Sequence, residues 1–138
     1  SENYEKLTGI TARTAFLSFS TKGSAKDDSL NKITEALNIT KQRRPDLICD
    51  GELQFDAAFV PSVAKRKNPD GAIQGDANVF IFPDLNSGNI AYKITERLAG
   101  ASATGPIVQG LAKPVMDLSR GCNAEDIINM TRVITNLI

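Results

Sequence analysis

Apolar residues along the chain recur with two different periods. Thr14–Phe19 (TAFLSF) is a short apolar and aromatic run that reads as a strand, and it ends in the polar stretch Ser20–Ser24. The spacing then changes. Leu30, Ile33 and Leu37 recur at i, i+3 and i+7 while Lys32, Thr34 and Glu35 point elsewhere. That pattern predicts an amphipathic helix, capped by Asp27 or Asp28 and ended by Pro45. Leu47–Cys49 predicts a short buried strand, with Asp50-Gly51 as its closing turn. A second cycle follows: a basic helix over Val63–Asn68 after Pro61, a turn at Asn68–Gly71, and the aromatic, β-branched strand Asn78–Phe82. Pro83-Asp84 ends that strand. A helix over Leu85–Leu98 carries Ile90, Ile94 and Leu98 on one face and Lys93, Glu96 and Arg97 on the other, with Gly100 as its stop. Two extended segments, Gly105–Leu111 and Pro114–Leu118, precede a last helix that opens at Asn123 and runs on Ile127, Met130, Ile134 and Leu137.

Strands alternating with helices through short loops predict βαβ units. The expected class is α/β, a three-layer αβα arrangement with a mostly parallel sheet covered on both faces. No repeat, low-complexity tract or long linker divides the 138 residues, so one compact unit is expected. In such folds ligands collect where strands run out into helices. Those loops are Ser18–Ser24, Asp50–Gln54, Pro83–Asn89 and Ser119–Asp126.

Composition narrows the chemistry. A chain that is 41% hydrophobic and 23% charged has material for a core and is not a disordered tail. Sixteen basic residues against sixteen acidic ones leave no positive field, so nucleic acid is not an expected partner. The absence of histidine removes the Ser-His-Asp triad, the Cys-His dyad and every His-based metal site. Cys49 and Cys122 are too far apart to close a zinc site, and no metal is expected. Two lone thiols without a recognisable signal peptide fit a reducing cytoplasm. The longest uncharged stretch, Leu98–Ala112, is broken by Gly100, Gly105, Pro106 and Gly110, so no membrane span is expected. Neither GxGxxG nor GxxxxGK(S/T) occurs.

Three loops carry candidate chemistry. Ser18–Ser24 is hydroxyl-rich, with Lys22 and Gly23; it reads either as an anion-binding loop or as a polar strand-to-helix turn. Pro83–Asn89 leads into a helix whose free N–H groups suit a phosphate or carboxylate. There Gly88 permits close approach and Asn89 adds a donor, or Asn86 and Ser87 simply cap. Asp117–Asp126 gathers the sharpest set: Ser119 to donate to a developing charge, Arg120 to hold an oxyanion on two N–H groups, Asp126 to take a proton. The competing reading makes Asn123 the N-cap and Asp126, three residues on, the closing member of a capping box. Cys122 stands behind Ser119 and Arg120, because it has no neighbouring base. Lys41, Arg43 and Arg44, and then Lys65, Arg66 and Lys67, read as solvated helix ends, with a nucleotide phosphate as the alternative.

Five stretches, in order, resemble the phosphate acetyltransferase (phosphotransacetylase) family: SFSTKGSA at 18–25, DGELQFDAA at 50–58, FPDLNSGNIAYK at 82–93, GPIVQGLAKPVMDLSRG at 105–121, and the following Glu125-Asp126-Ile127. The resemblance implies exchange of an acetyl group between phosphate and coenzyme A. It also implies a fold similar to isocitrate and isopropylmalate dehydrogenases. Family members are longer, with two α/β domains and a cleft between them, so residues 1–138 are expected to be the C-terminal portion. Carried over residue by residue, the catalytic groups fall on Asp126 as base, Ser119 as hydrogen-bond donor and Arg120 as phosphate holder. The base deprotonates the coenzyme A thiol, which attacks acetyl phosphate directly in a ternary complex. Substrate contacts are expected at Gly88, Asn89, Lys93, Ser20 and Lys22. Coenzyme A or acetyl-CoA and phosphate or acetyl phosphate are then substrates, no cofactor is needed, and a homodimer is expected. A regulatory acetyl-CoA-sensing domain of the malic-enzyme type is the alternative. Such domains tend to lose the Ser-Arg-Gly and acidic pattern, whereas Ser119, Arg120, Gly121 and Asp126 are intact. A metal-dependent dehydrogenase with Asp50, Asp56 and Asp84 as ligands is weaker, since its nicotinamide and substrate motifs are missing.

Overall fold

A computed structural model describes all residues from Ser1 to Ile138. The elements run α1 (Glu2–Thr8), β1 (Thr14–Leu17), α2 (Ser29–Arg43), β2 (Cys49–Leu53), α3 (Phe55–Phe59), α4 (Pro61–Lys67), β3 (Val79–Ile81), α5 (Leu85–Ala99), β4 (Ile107–Val108), β5 (Val115–Met116) and α6 (Ala124–Leu137). β1 is the middle strand of a parallel sheet in the order β2-β1-β3, and all four of its residues are buried. Strand alternation divides them between two faces. Ala15 and Leu17 join Leu53, Ala57, Ala58, Ile73 and Ala77 on one side, and Phe16 joins Ile33, Leu37 and Cys49 on the other. The α2 periodicity therefore covers one face of the sheet, while α3 and the 73–77 segment cover the opposite one.

The structure departs from the sequence reading in several places. β1 stops at Leu17, because Ser18 turns its hydroxyl back to accept from the Ser20 N–H at 2.9 Å. Asp50-Gly51 is no turn: β2 runs through it to Leu53, with every residue buried. α1 and the single turn α3 were not expected. The last two extended segments do not join the parallel sheet but pair with each other as a small antiparallel ribbon, β4-β5. The apolar stripe of α5 forms with the expected period, but Ile90, Ile94 and Leu98 are exposed rather than packed. No helix is long and apolar enough to cross a membrane.

One connection has no spare room. Gly75 sits at φ +81°, and a Cβ there would lie 2.3 Å from the Pro61 nitrogen and 2.5 Å from the Val60 carbonyl carbon. Both obstructions are backbone, so they cannot rotate away. Gly75→Ala is expected to cost at least about 2 kcal/mol and lower Tm by roughly 5 °C or more. Thermal unfolding followed by circular dichroism checks this, and an unchanged Tm would show that the connection yields.

Candidate functional site

The loop from β5 to α6 is drawn into a tight turn. The Cys122 N–H donates to the Ser119 carbonyl at 3.0 Å, and the Gly121 N–H donates to the Ser119 hydroxyl at 3.3 Å. Asn123 then takes an extended conformation and caps α6: its side-chain oxygen accepts from the Asp126 N–H at 3.0 Å. Asp126 reciprocates, its Oδ2 accepting from the Asn123 N–H at 2.8 Å. The capping box predicted by the Asn-x-x-Asp spacing is present. It engages one carboxylate oxygen and leaves Oδ1 without a hydrogen bond. Capping and proton transfer are therefore compatible at this residue.

α5 faces this loop. Asp84 caps its N-terminus, accepting from the Ser87 N–H at 2.8 Å and the Ser87 hydroxyl at 3.1 Å, and these bonds hold the Asp84 carboxyl below the usual carboxylate range. The Lys93 ammonium lies 5.1 Å from the centre of the Tyr92 ring, and Arg97, one turn on, stands beside Glu96 at 3.7 Å. Together they line a cleft of about 180 Å³ with Ser119, Cys122, Asp126 and Met130. A second cavity of about 740 Å³ lies between the start of α5 and the 103–107 segment, and Gly88 and Asn89 line it. Tyr92 and Ala103–Gly105 belong to both walls, so the two spaces adjoin. An added Cβ on Gly88 would meet only Phe82, at 3.6 Å, leaving the glycine open on the cavity side.

The structure thus gathers Ser119, Asp126 and Lys93 in one cleft, with Gly88 and Asn89 in its extension. Arg120 is exposed on the turn beside Ser119, makes no ion pair, and lines neither space. Ser20 and Lys22 line neither space. Ser20 has no exposed surface, and its hydroxyl donates to Glu52 at 3.0 Å. Lys22 pairs with Asp50 and donates to the Gly51 carbonyl at 2.8 Å. Arg97, which the sequence places on the solvated face of α5, is 80% exposed there and also borders the cleft. The three acids of the dehydrogenase reading are each engaged: Asp50 by Lys22, Asp56 by Lys67 at 3.0 Å, and Asp84 by its cap.

Residues 1–135 match the family described as phosphate acetyl/butaryl transferase. The phosphate acetyltransferase of Bacillus subtilis is 59% identical over 133 residues, covering 96% of this chain and 41% of that relative. A phosphotransacetylase from Streptococcus pyogenes superposes with a TM-score of 0.93 at 54% identity, over 99% of this chain and 41% of that one. A branched-chain phosphotransacylase from Enterococcus faecalis, at 23% identity and TM-score 0.73 over 98% of this chain and 49% of its own, shares the fold. The chain spans about two fifths of the length of the curated relatives it matches. Across nearly its whole length, this chain belongs to the phosphate acetyl/butaryl transferase family.

Proposed function

We propose that this chain carries one wall of an acyltransferase site that exchanges an acetyl group between phosphate and coenzyme A. The observation that carries it is the cleft that Ser119 and Asp126 line together with Lys93 and Arg97, the capping box leaving one Asp126 oxygen without a hydrogen bond. A hydroxyl, a carboxylate and fixed positive charge suffice for direct transfer without histidine, metal or cofactor, provided both substrates are held in line. Asp126 takes the proton from the coenzyme A thiol. The thiolate attacks the carbonyl carbon of acetyl phosphate, the C–S bond forms, the C–O bond to phosphate breaks, and phosphate leaves with the bonding pair. Ser119 donates to the oxyanion of the tetrahedral intermediate. Arg120 holds the phosphate, and Lys93 and Arg97 add charge for a phosphorylated substrate; Gly88 and Asn89 bound the space beside them. The names of the relatives favour catalysis over acetyl-CoA sensing.

The same reading takes residues 1–138 as the C-terminal portion of a two-domain protein of isocitrate/isopropylmalate dehydrogenase-like fold, working in the cytoplasm. The exposed apolar face of α5 supports a homodimer. Because the chain spans only about two fifths of its relatives, the opposite wall of the cleft has to come from further chain. The isolated 138 residues are expected to turn over far below the ~1–10³ per second of ordinary enzymes. A chimera with this chain in place of the matching stretch of the Bacillus subtilis relative should be active in a thiol-release assay. Ordinary turnover by the isolated chain, or a folded but inactive chimera, would sink the proposal. In the chimera Arg120→Lys should fail nearly as badly as Arg120→Ala, because lysine keeps the charge and loses the planar fork. Near-normal kinetics for the lysine variant would remove Arg120 from the phosphate.

A further inference from the structure

We infer that Met130 is the wall that limits the length of the acyl group, an inference that rests on the acyl-transfer reading of the cleft. Met130 is the one buried residue of α6, 5% exposed, and it lines the same cleft as Ser119 and Asp126. It follows Asp126 by four residues, so the two side chains share a face of the helix on adjacent turns. Long helical side chains lean toward the N-terminus, which carries the Met130 thioether back over the turn that bears Asp126. In direct transfer the reacting carbonyl has to lie near Ser119, with the attacking thiol near Asp126. The alkyl end of the acyl group then needs an apolar surface beside that pair. Lys93, Glu96, Arg97 and Asn129 offer none. Leu118 and Tyr92 are apolar but 36% and 47% exposed, and they stand at an open part of the cleft where a chain can pass them into solvent. Ala103 is exposed and Cys122 only half-buried, so Met130 is the one buried apolar side chain of the lining. An acetyl methyl group fits against it, and the two further methylenes of a butyryl group run into it.

Isothermal titration of the chimera with the Bacillus subtilis relative, which supplies the opposite wall, with acetyl-CoA and with butyryl-CoA tests this, alongside Met130→Ala and Met130→Val in the same chimera. The parent is expected to bind acetyl-CoA about tenfold more tightly than butyryl-CoA, a methylene in a closed pocket being worth roughly 10–200-fold. Met130→Ala should bring the ratio to about one, chiefly by tightening butyryl-CoA. Met130→Val should lie between, and it decides the matter if a circular-dichroism melt shows that the alanine variant does not fold. A merely structural methionine would weaken both thioesters equally and leave the ratio unchanged. An unchanged ratio in a folded variant, or equal affinities in the parent, overturns the inference. A folded chimera that binds neither thioester overturns the acyl-transfer reading itself.

Discussion

Lys22→Met is expected to destabilise the chain by about 3 kcal/mol at neutral pH, and by much less in acid. Asp50 is the reason. Its side chain is 3% exposed in the middle of β2, where a charge is tolerated only if every oxygen is met. Oδ1 takes the Lys22 ammonium and the Gly51 N–H at 2.9 Å, and Oδ2 takes the Asn68 amide at 2.9 Å. Burial alone pushes the Asp50 carboxyl up, but the hydrogen bonds from Lys22, Asn68 and Gly51 outweigh it and hold the group below the usual carboxylate range. Removing the ammonium leaves a buried charge uncompensated. The cost falls at the low end of the ~3–5 kcal/mol typical of a broken buried pair, because the Lys22 side chain is 37% exposed and part of the attraction is screened.

The pH dependence follows from the direction of that shift. A carboxyl with a lowered folded-state pKa contributes stability that is present above its ordinary value of ~3.9 and lost as pH falls through the lowered one. In Lys22→Met burial is less opposed, so Asp50 takes up its proton at a higher pH than in the parent. The gap between parent and variant should therefore narrow from about pH 5 downward. Urea unfolding at pH 7, 5 and 3.5 measures it, with Lys22→Met/Asp50→Asn recovering part of the loss. A gap that is independent of pH would mean that Lys22 acts through its alkyl chain or its left-handed φ of 50° and not through Asp50.

The same network explains where the sequence was hard to read. The partners of Asp50 and Glu52 lie 18 to 32 residues away, at Asn68, Lys22 and Ser20. Without them two acids flanking a glycine look like a loop, and β2 was cut short at Cys49. By contrast, Leu30, Ile33 and Leu37 carry their own period, so α2 was legible, as was the capping box of α6, whose two members are three residues apart. α3 is five residues long and too short to show any period. The stripe of α5 was legible as a stripe. What it faces was not, because burial depends on neighbours that periodicity does not name. Which side of α5 meets Ser119 is likewise decided by the path of residues 100–118, not by the helix itself.

Asp126→Asn is expected to separate the cap seen at this residue from its proposed role as the base. An asparagine keeps the side-chain carbonyl that accepts from the Asn123 N–H, so the capping box survives, and the chimera with the Bacillus subtilis relative should melt within a few degrees of its parent. Asp126→Ala, which loses that bond, should cost ~0.5–2 kcal/mol. Coenzyme A affinity should be nearly unchanged in the asparagine variant, because the thiol is bound neutral and the cations of the cleft remain. Transfer is another matter. An amide cannot accept the thiol proton, and kcat should fall by ~10²–10⁴ at neutral pH. Raising the pH toward ~8.5, where a thiol ionises unaided, should recover part of the loss, since solvent then supplies the thiolate that Asp126 no longer makes. The parent should show no comparable gain over that range. A variant that is clearly destabilised but catalytically normal would return Asp126 to the cap alone. If activity is lost at every pH while folding and coenzyme A binding stay intact, the carboxylate is essential for placing a substrate, and the proton has to leave the thiol by another route.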